Sequence, residues 1–289
     1  MEIVEALREL EEKYSYPDRI FPVERSELEE LLEESRQTLS REHTLLRVEA
    51  SKVLFIGDTH GDLESTLSAL RRALELTAEK VVFLGDYVDR GPFQLGNISV
   101  LLELKRLFPG WIYLLRGNHE SRRMNEWYGF LRAVRLRYGD ELYSSFEEVF
   151  ASLSLALLLN GKVLAVHGGI PLGLESVDEI DEIPKYLKDE DLERSDLALQ
   201  LLWNDPSEDI EDYADSPRGW GIYLFGKKVF EDFMSRSRLE LLVRGHEPVE
   251  DGVRYMFNNR LATVFSCRFY GISPAALLIS GDRREIIHL

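Results

Sequence analysis

Short apolar runs that end abruptly at glycine set the pattern of this chain. Val81 to Leu84 are four apolar residues without a polar break, stopped by Gly85. So short a run, rich in β-branched residues and bounded by glycine, predicts a strand buried on both faces. Ser51 to Gly57 and Trp111 to Arg116 repeat the design. Between these runs, leucines at 63, 67, 70, 74 and 76 predict an amphipathic helix, and Phe93 to Phe108 predicts another. The three strand ends are about thirty residues apart, the length of a βαβ unit. Right-handed crossovers then bring all three carboxyl ends to one edge of one sheet.

Around this centre the periodicity changes twice. Residues 1–48 read as a helical extension packed on a single domain spanning 49–289. Leu7, Leu10 and Tyr14 mark a first helix that ends before Pro17, and a second begins at Ser26, with Glu29 completing a capping box. After the third strand, Arg122 to Tyr138 and Asp140 to Ala151 read as helices, and Lys162 to Val166 as a fourth strand. The acidic stretch from Gly173 to Ser216 reads as helices and loops lying over the sheet, its charges a solvated face. Short strands then follow at Leu241–Gly245, Val253–Phe257, Leu261–Ser266, Ala275–Ile279 and Glu285–His288. Asn258, Asn259, Gly271, Pro274 and Gly281 supply the turns, and the close spacing predicts mainly antiparallel pairing. A parallel half joined to such a half fits two sheets packed face to face with helices outside each.

Composition narrows the classes. The chain has 289 residues, 44% of them hydrophobic and 30% charged, as in a soluble globular protein. The longest apolar stretch, Ser152 to Leu159, is far short of the ~20 residues a membrane span needs. The acidic N-terminus lacks a signal-peptide core, so a cytoplasmic protein without membrane attachment is expected. Cys267 is the only cysteine, which excludes an internal disulfide and a thiolate cluster. The formal charge of −17 repels a nucleic-acid backbone and sets aside a nuclease.

The chemistry sits where the strands end. Asp58 and His60 follow the first strand, Asp86, Asp89 and Arg90 the second, Asn118 and His119 the third. Four of the six histidines, His60, His119, His167 and His246, stand beside a glycine or one residue from it at a strand end. Imidazole, carboxylate and amide oxygen without thiolate form a borderline-to-hard ligand set, suited to Mn²⁺, Fe or Zn²⁺.

These residues carry a resemblance. GDTHGD (57–62), GDYVDRG (85–91), RGNHE (116–120) and HGG (167–169) resemble the signature of the calcineurin-like metallophosphoesterases. With LWNDP (202–206), PRG (217–219), RGHE (244–247) and FS…Y (265–270) in the same order, the chain is similar to the phosphoprotein phosphatase superfamily of serine/threonine phosphatases. GD-x-HG alone is shared with nucleases and nucleotidases; the ordered set is specific. The resemblance implies a four-layer α/β/β/α sandwich of two mixed sheets with helices on the outer faces. It implies two divalent metal ions, one held by Asp58 and His60, the other by Asn118, His167 and His246, with Asp86 bridging both. Arg90 and Arg218, with Asn118 and Tyr270, match the phosphate-binding residues. His119 matches the general acid and Asp89 its partner, and Asp205 is a second-tier candidate near the water. The implied reaction is in-line attack of a metal-bridging hydroxide on phosphoserine or phosphothreonine, with no phosphoenzyme.

Two departures bear on selectivity. Asp62 stands where the family usually carries glutamine, which places an extra negative charge near the first metal. FSCRFY (265–270) replaces the usual FSAPNY, which alters the loop around Tyr270 and sets Arg268 and Phe269 at the rim. The expected partners are phosphoproteins, and a regulatory subunit is not identifiable. The alternative is the same site acting on dinucleoside polyphosphates or small phosphoesters. A phosphate-binding scaffold without turnover is opposed by the intact ligand set.

Overall fold

Along the first predicted strand Val53 and Phe55 face one way and Leu54 and Ile56 the other, and all four are buried. That double burial defines the layers. In the computed structural model, which describes residues 2–289, the chain opens with α1 (Ile3–Tyr14) and α2 (Arg25–Ser40). It continues through β1 (Leu45–Val48), β2 (Lys52–Ile56), α3 (Leu63–Glu75), β3 (Lys80–Phe83), α4 (Gln94–Leu107) and β4 (Ile112–Leu114). Helices α5 (Arg122–Tyr128), α6 (Phe130–Tyr138) and α7 (Asp140–Ala151) lead to β5 (Ala156–Leu159) and β6 (Val163–Val166). Then come α8 (Asp189–Leu192), α9 (Asp196–Trp203), β7 (Asp205–Pro206), β8 (Tyr213–Asp215), β9 (Tyr223–Phe225) and α10 (Lys227–Arg236). The last strands are β10 (Leu241–Arg244), β11 (Val253–Met256), β12 (Leu261–Val264), β13 (Ala275–Ser280) and β14 (Arg283–His288).

A five-stranded sheet runs β14-β13-β2-β3-β4 and a six-stranded sheet runs β1-β5-β6-β10-β12-β11. Phe55, Val82 and Leu84 of the first meet Leu157, Ala165, Val243 and Val264 of the second in the central core. Leu54, Ile56, Val81 and Phe83 face outward onto α1 to α4, α6 and α7. Leu158, Leu164, Val166 and Leu242 face outward onto α9 and α10. The mixed α/β sandwich of four layers is as expected. Among the described residues no helix is long and apolar enough to cross a membrane.

The structure differs from the sequence pattern in several places. The second sheet is not mainly antiparallel: β6, β10 and β12 run parallel. The cause is the hairpin at Phe257–Asn259, whose φ angles are all positive (49°, 55° and 62°). It folds β12 back between β10 and β11, so only β11 pairs antiparallel on that side. β13 and β14 leave for the other sheet. β1 lies within the stretch expected to be a helical extension, pairing parallel with β5, so the expected boundary at 48 falls where a strand of the sheet ends. The expected 122–138 helix breaks at Gly129, whose φ of 119° only glycine adopts without strain. Ser26 does not cap α2, which starts one residue earlier and lacks a side-chain cap.

Candidate metal centre

β2, β3 and β4 are adjacent and parallel, so their carboxyl ends deliver Asp58, Asp86 and Asn118 to one edge. β6 and β10 of the other sheet deliver His167 and His246 to the same place. The approach is close. A Cβ on Gly117 would lie 2.2 Å from Asp86 Oδ1, and one on Gly245 would lie 2.4 Å from Asp58 Oδ1. His60, Asp86, Asp89, Arg90 and His246 are all left-handed, with φ between 44° and 72°. Each such non-glycine residue costs on the order of 1–3 kcal/mol, and such strain clusters at functional sites.

Asp86 is the hub. His60 Nε2 lies 3.5 Å from its Oδ2 and His167 Nε2 lies 3.4 Å from its Oδ1. His60 Nε2 is also 3.8 Å from Asp58 Oδ2. His60 Nδ1 sits 2.9 Å from the Val88 carbonyl and His167 Nδ1 sits 2.9 Å from that of Leu84. A carbonyl only accepts, so each Nδ1 carries the proton and each Nε2 turns a lone pair inward. His167 Nε2 then meets Asn118 Oδ1 at 2.9 Å, two acceptors face to face unless the amide is turned. Among the described residues, buried Asp58 Oδ2 and His246 Nε2 find no hydrogen-bond partner. Burial pushes Asp58 up to about 7 and Asp86 well above the carboxylate range, Asp58 adding to the rise in Asp86. Burial also holds His60, His167 and His246 well below the usual imidazole value. Inward lone pairs, buried polar atoms without partners and carboxylates crowded together out of water are the marks of a cradle for divalent cations, and the residues fit that group.

Beside the cradle, His119 Nδ1 lies 2.7 Å from Asp89 Oδ2, and its amide donates to Asp86 Oδ1 at 2.9 Å. Asp89 in turn accepts from Asn125 Nδ2 and from the Phe130 amide, both at 2.9 Å. Burial lowers the His119 pKa and the bonded Asp89 opposes it. Its Nε2 points to the cradle, 4.0 Å from Asp86 Oδ2, so His60, Asp86 and His119 are close enough to share an ion. Arg90 lies over Tyr128 and Tyr270, its guanidinium 4.3 and 5.4 Å from the two rings. Arg218 pairs with Asp205, which Arg244 also holds at 2.6 Å. Tyr270 lies 5.7 Å from the His60 ring. Every residue singled out in the sequence therefore lies in or beside one edge of the sandwich.

Asp62 is the exception in behaviour. Its charge, expected near the cradle, caps α3 and is offset by Arg268.

Several contributors went unread. Glu120 accepts from the Asp86, Tyr87 and Gly117 amides at 2.8–2.9 Å, tying the second and third strand ends together. Arg244 is fully buried and donates to Gly168, Asp205 and Glu247. Both belong to the motifs RGNHE and RGHE, so the signal was present. Tyr128 and Asn125 lie in α5, outside any motif. Replacing Arg244 by Met is expected to destabilise the fold by ~3 kcal/mol, because it removes the buried partner of Asp205, which keeps only the part-exposed Arg218, and leaves the Gly168 carbonyl without its donor. An unfolding free energy from urea titration that falls by less than a third of that, at unchanged slope, counts against this role for the arginine.

A groove of about 740 Å³ runs from Asn118 and Arg218 along Trp127, Tyr128, Trp203 and Trp220. Trp220 is 98% exposed and Trp127 81%, so the groove offers aromatic surface next to the cradle.

Residues 51–250 match the family described as calcineurin-like phosphoesterase. A probable serine/threonine-protein phosphatase of Encephalitozoon cuniculi is 36% identical over 99% of this chain. The chain spans 63% of that relative's length. The serine/threonine-protein phosphatase 6 catalytic subunit of Caenorhabditis elegans is 36% identical over 82% of this chain and 72% of its own. A solved protein serine/threonine phosphatase from Saccharomyces cerevisiae, described as similar to human phosphatase PP5, superposes with a TM-score of 0.83. It is 26% identical, covering 92% of this chain and 90% of that one.

Proposed function

The chain belongs to the calcineurin-like phosphoesterase family, among its serine/threonine-protein phosphatases, and from that premise we propose that it hydrolyses phosphoserine and phosphothreonine in proteins. The observation that carries the reading is the joining of a buried cation cradle to a carboxylate-held imidazole and two arginines. Asp58 and His60 would hold one divalent ion, Asn118, His167 and His246 the other, and Asp86 both. Bound ions would supply Lewis acidity, polarising the phosphoryl group and making a water nucleophilic.

The chain's own groups do the remaining work. Arg90 and Arg218 bind phosphoryl oxygens, their forks matching two acceptors each and offsetting the charge spread over them in the transition state. The flanking Tyr128 and Tyr270 rings hold the Arg90 plane in place. Asp205 orients Arg218 while it is itself fixed by Arg244. His119, with Nδ1 on Asp89, gives its Nε2 proton to the departing serine or threonine oxygen. Water attacks phosphorus directly and no side chain becomes phosphorylated.

Mn²⁺ is the ion we propose for reconstitution, with Fe or Zn²⁺ as alternatives that this donor set also accepts. The relatives favour phosphoproteins over dinucleoside polyphosphates as substrates. Metal-stripped protein should release phosphate from a phosphothreonine peptide on addition of Mn²⁺, with far less released from a phosphotyrosine peptide and far less cleavage of a dinucleoside tetraphosphate to nucleotides. Turnover of the dinucleotide alone would overturn the substrate and leave the site intact.

A further inference from the structure

The two departures from the family's wording, Asp62 and Arg268, touch each other. Asp62 is fully buried at the start of α3, where it accepts from the Ser65 amide at 3.2 Å and the Ser65 hydroxyl at 2.8 Å. The same carboxylate accepts the Arg268 amide at 2.9 Å and lies 3.1 Å from Arg268 Nε. Arg268 Nη1 reaches Glu64 at 2.5 Å, so one arginine is held by two acids of one helix end. Glutamine at 62 has no charge to offer a guanidinium. Proline, which FSAPNY places at 268, has no amide hydrogen to offer a carboxylate. The two changes thus form one contact, and neither makes it alone.

The contact anchors the turn that bears Tyr270. Residues 268–270 form one helical turn, closed by Gly271 in the left-handed region, whose amide donates to Arg268 O at 2.9 Å. From there Tyr270 packs on Phe265, 4.9 Å between ring centres, and faces His60 and Arg90. We propose that the Asp62–Arg268 pair is a positioning clamp that fixes the 267–271 turn and, through Tyr270, the aromatic slot holding Arg90. The inference builds on the phosphate-binding role proposed above for Arg90. As positioning residues Asp62 and Arg268 act on phosphate binding through the turn.

The competing account is that Arg268, at the rim, attracts the substrate directly. The two give opposite signs for Asp62→Asn, which keeps an N-cap acceptor but leaves the arginine's charge offset by Glu64 alone. The clamp expects KM for a phosphothreonine peptide to rise about three- to tenfold at kcat within about twofold. Direct attraction expects KM to fall, and that fall would overturn the clamp. Arg268→Ala should raise KM in the same way, with Arg268→Lys recovering part of the loss. Amide hydrogen exchange across 266–272 in metal-stripped protein gives a readout independent of turnover. Exchange there should quicken about tenfold in Asp62→Asn and Arg268→Ala while α4 is unchanged. Unaltered exchange in both variants overturns the clamp. If the wild-type chain released no phosphate at all, the functional reading would fail and the exchange data would still decide the clamp.

Discussion

Asp86→Asn is expected to lose phosphate release by about 10³-fold or more, the several kcal/mol an ion's charge contributes to such a reaction. The carboxylate faces both halves of the cradle, 3.5 Å from His60 Nε2 and 3.4 Å from His167 Nε2. An amide of the same shape keeps an acceptor for the His119 amide but removes the charge. Metal analysis of the purified variant should show fewer ions retained than in the wild type. Stability should move the other way. Burial and the nearby Asp58 push the Asp86 carboxyl well above its ordinary pKa, so the ion-free fold carries the cost of a neutralised or unpaired acid. The metal-stripped variant should therefore unfold at a higher temperature than metal-stripped wild type. Wild-type activity and metal content in Asp86→Asn would remove the aspartate from the centre of the reaction.

His119→Asn should separate substrates by their leaving groups. A serine alkoxide departs badly without a proton, whereas an aryl oxide departs well. A general acid is worth about 10²–10⁴ in rate, so the loss on a phosphoserine peptide should lie in that range. The loss on an aryl phosphate should stay within about tenfold. The structure sets up a sharp alternative, because His119 Nε2 also lies close enough to His60 and Asp86 to serve as a ligand. A lost ligand would damage both substrates alike and lower the metal content. Equal losses on both substrates sink the proton-donor assignment.

Most of the site was legible because its residues stand at strand ends, where short apolar runs and glycines mark the backbone unmistakably. The same logic failed where the pattern lacks a period. Ala156–Leu159 is buried at every residue, so nothing in its leucine run separates a strand from a helix, and β5 and its partner β1 went unread. Strand direction in the second sheet failed for another reason. Close spacing predicts hairpins, yet β12 inserts between β10 and β11, and no local signal shows where a returning strand lands. Glu120 and Arg244 were in view as letters of motifs, but their roles rest on distant backbone amides and carboxylates. The pairing of Asp62 was not legible, because neighbours in space are not neighbours in sequence. Its partner, Arg268, lies 206 residues on.

The left-handed backbone at His60, Asp86, Asp89, Arg90 and His246 has a consequence for anyone breeding this protein for heat resistance. Glycine at any of these positions relaxes the chain, and asparagine does so in part. A library ranked only by survival on heating should enrich such replacements, since each relieves strain the rest of the fold must offset. Every one of them removes a proposed ligand, acid partner or phosphate fork. Selection for toughness alone would drift towards an inert protein, so such a campaign must screen turnover in every round.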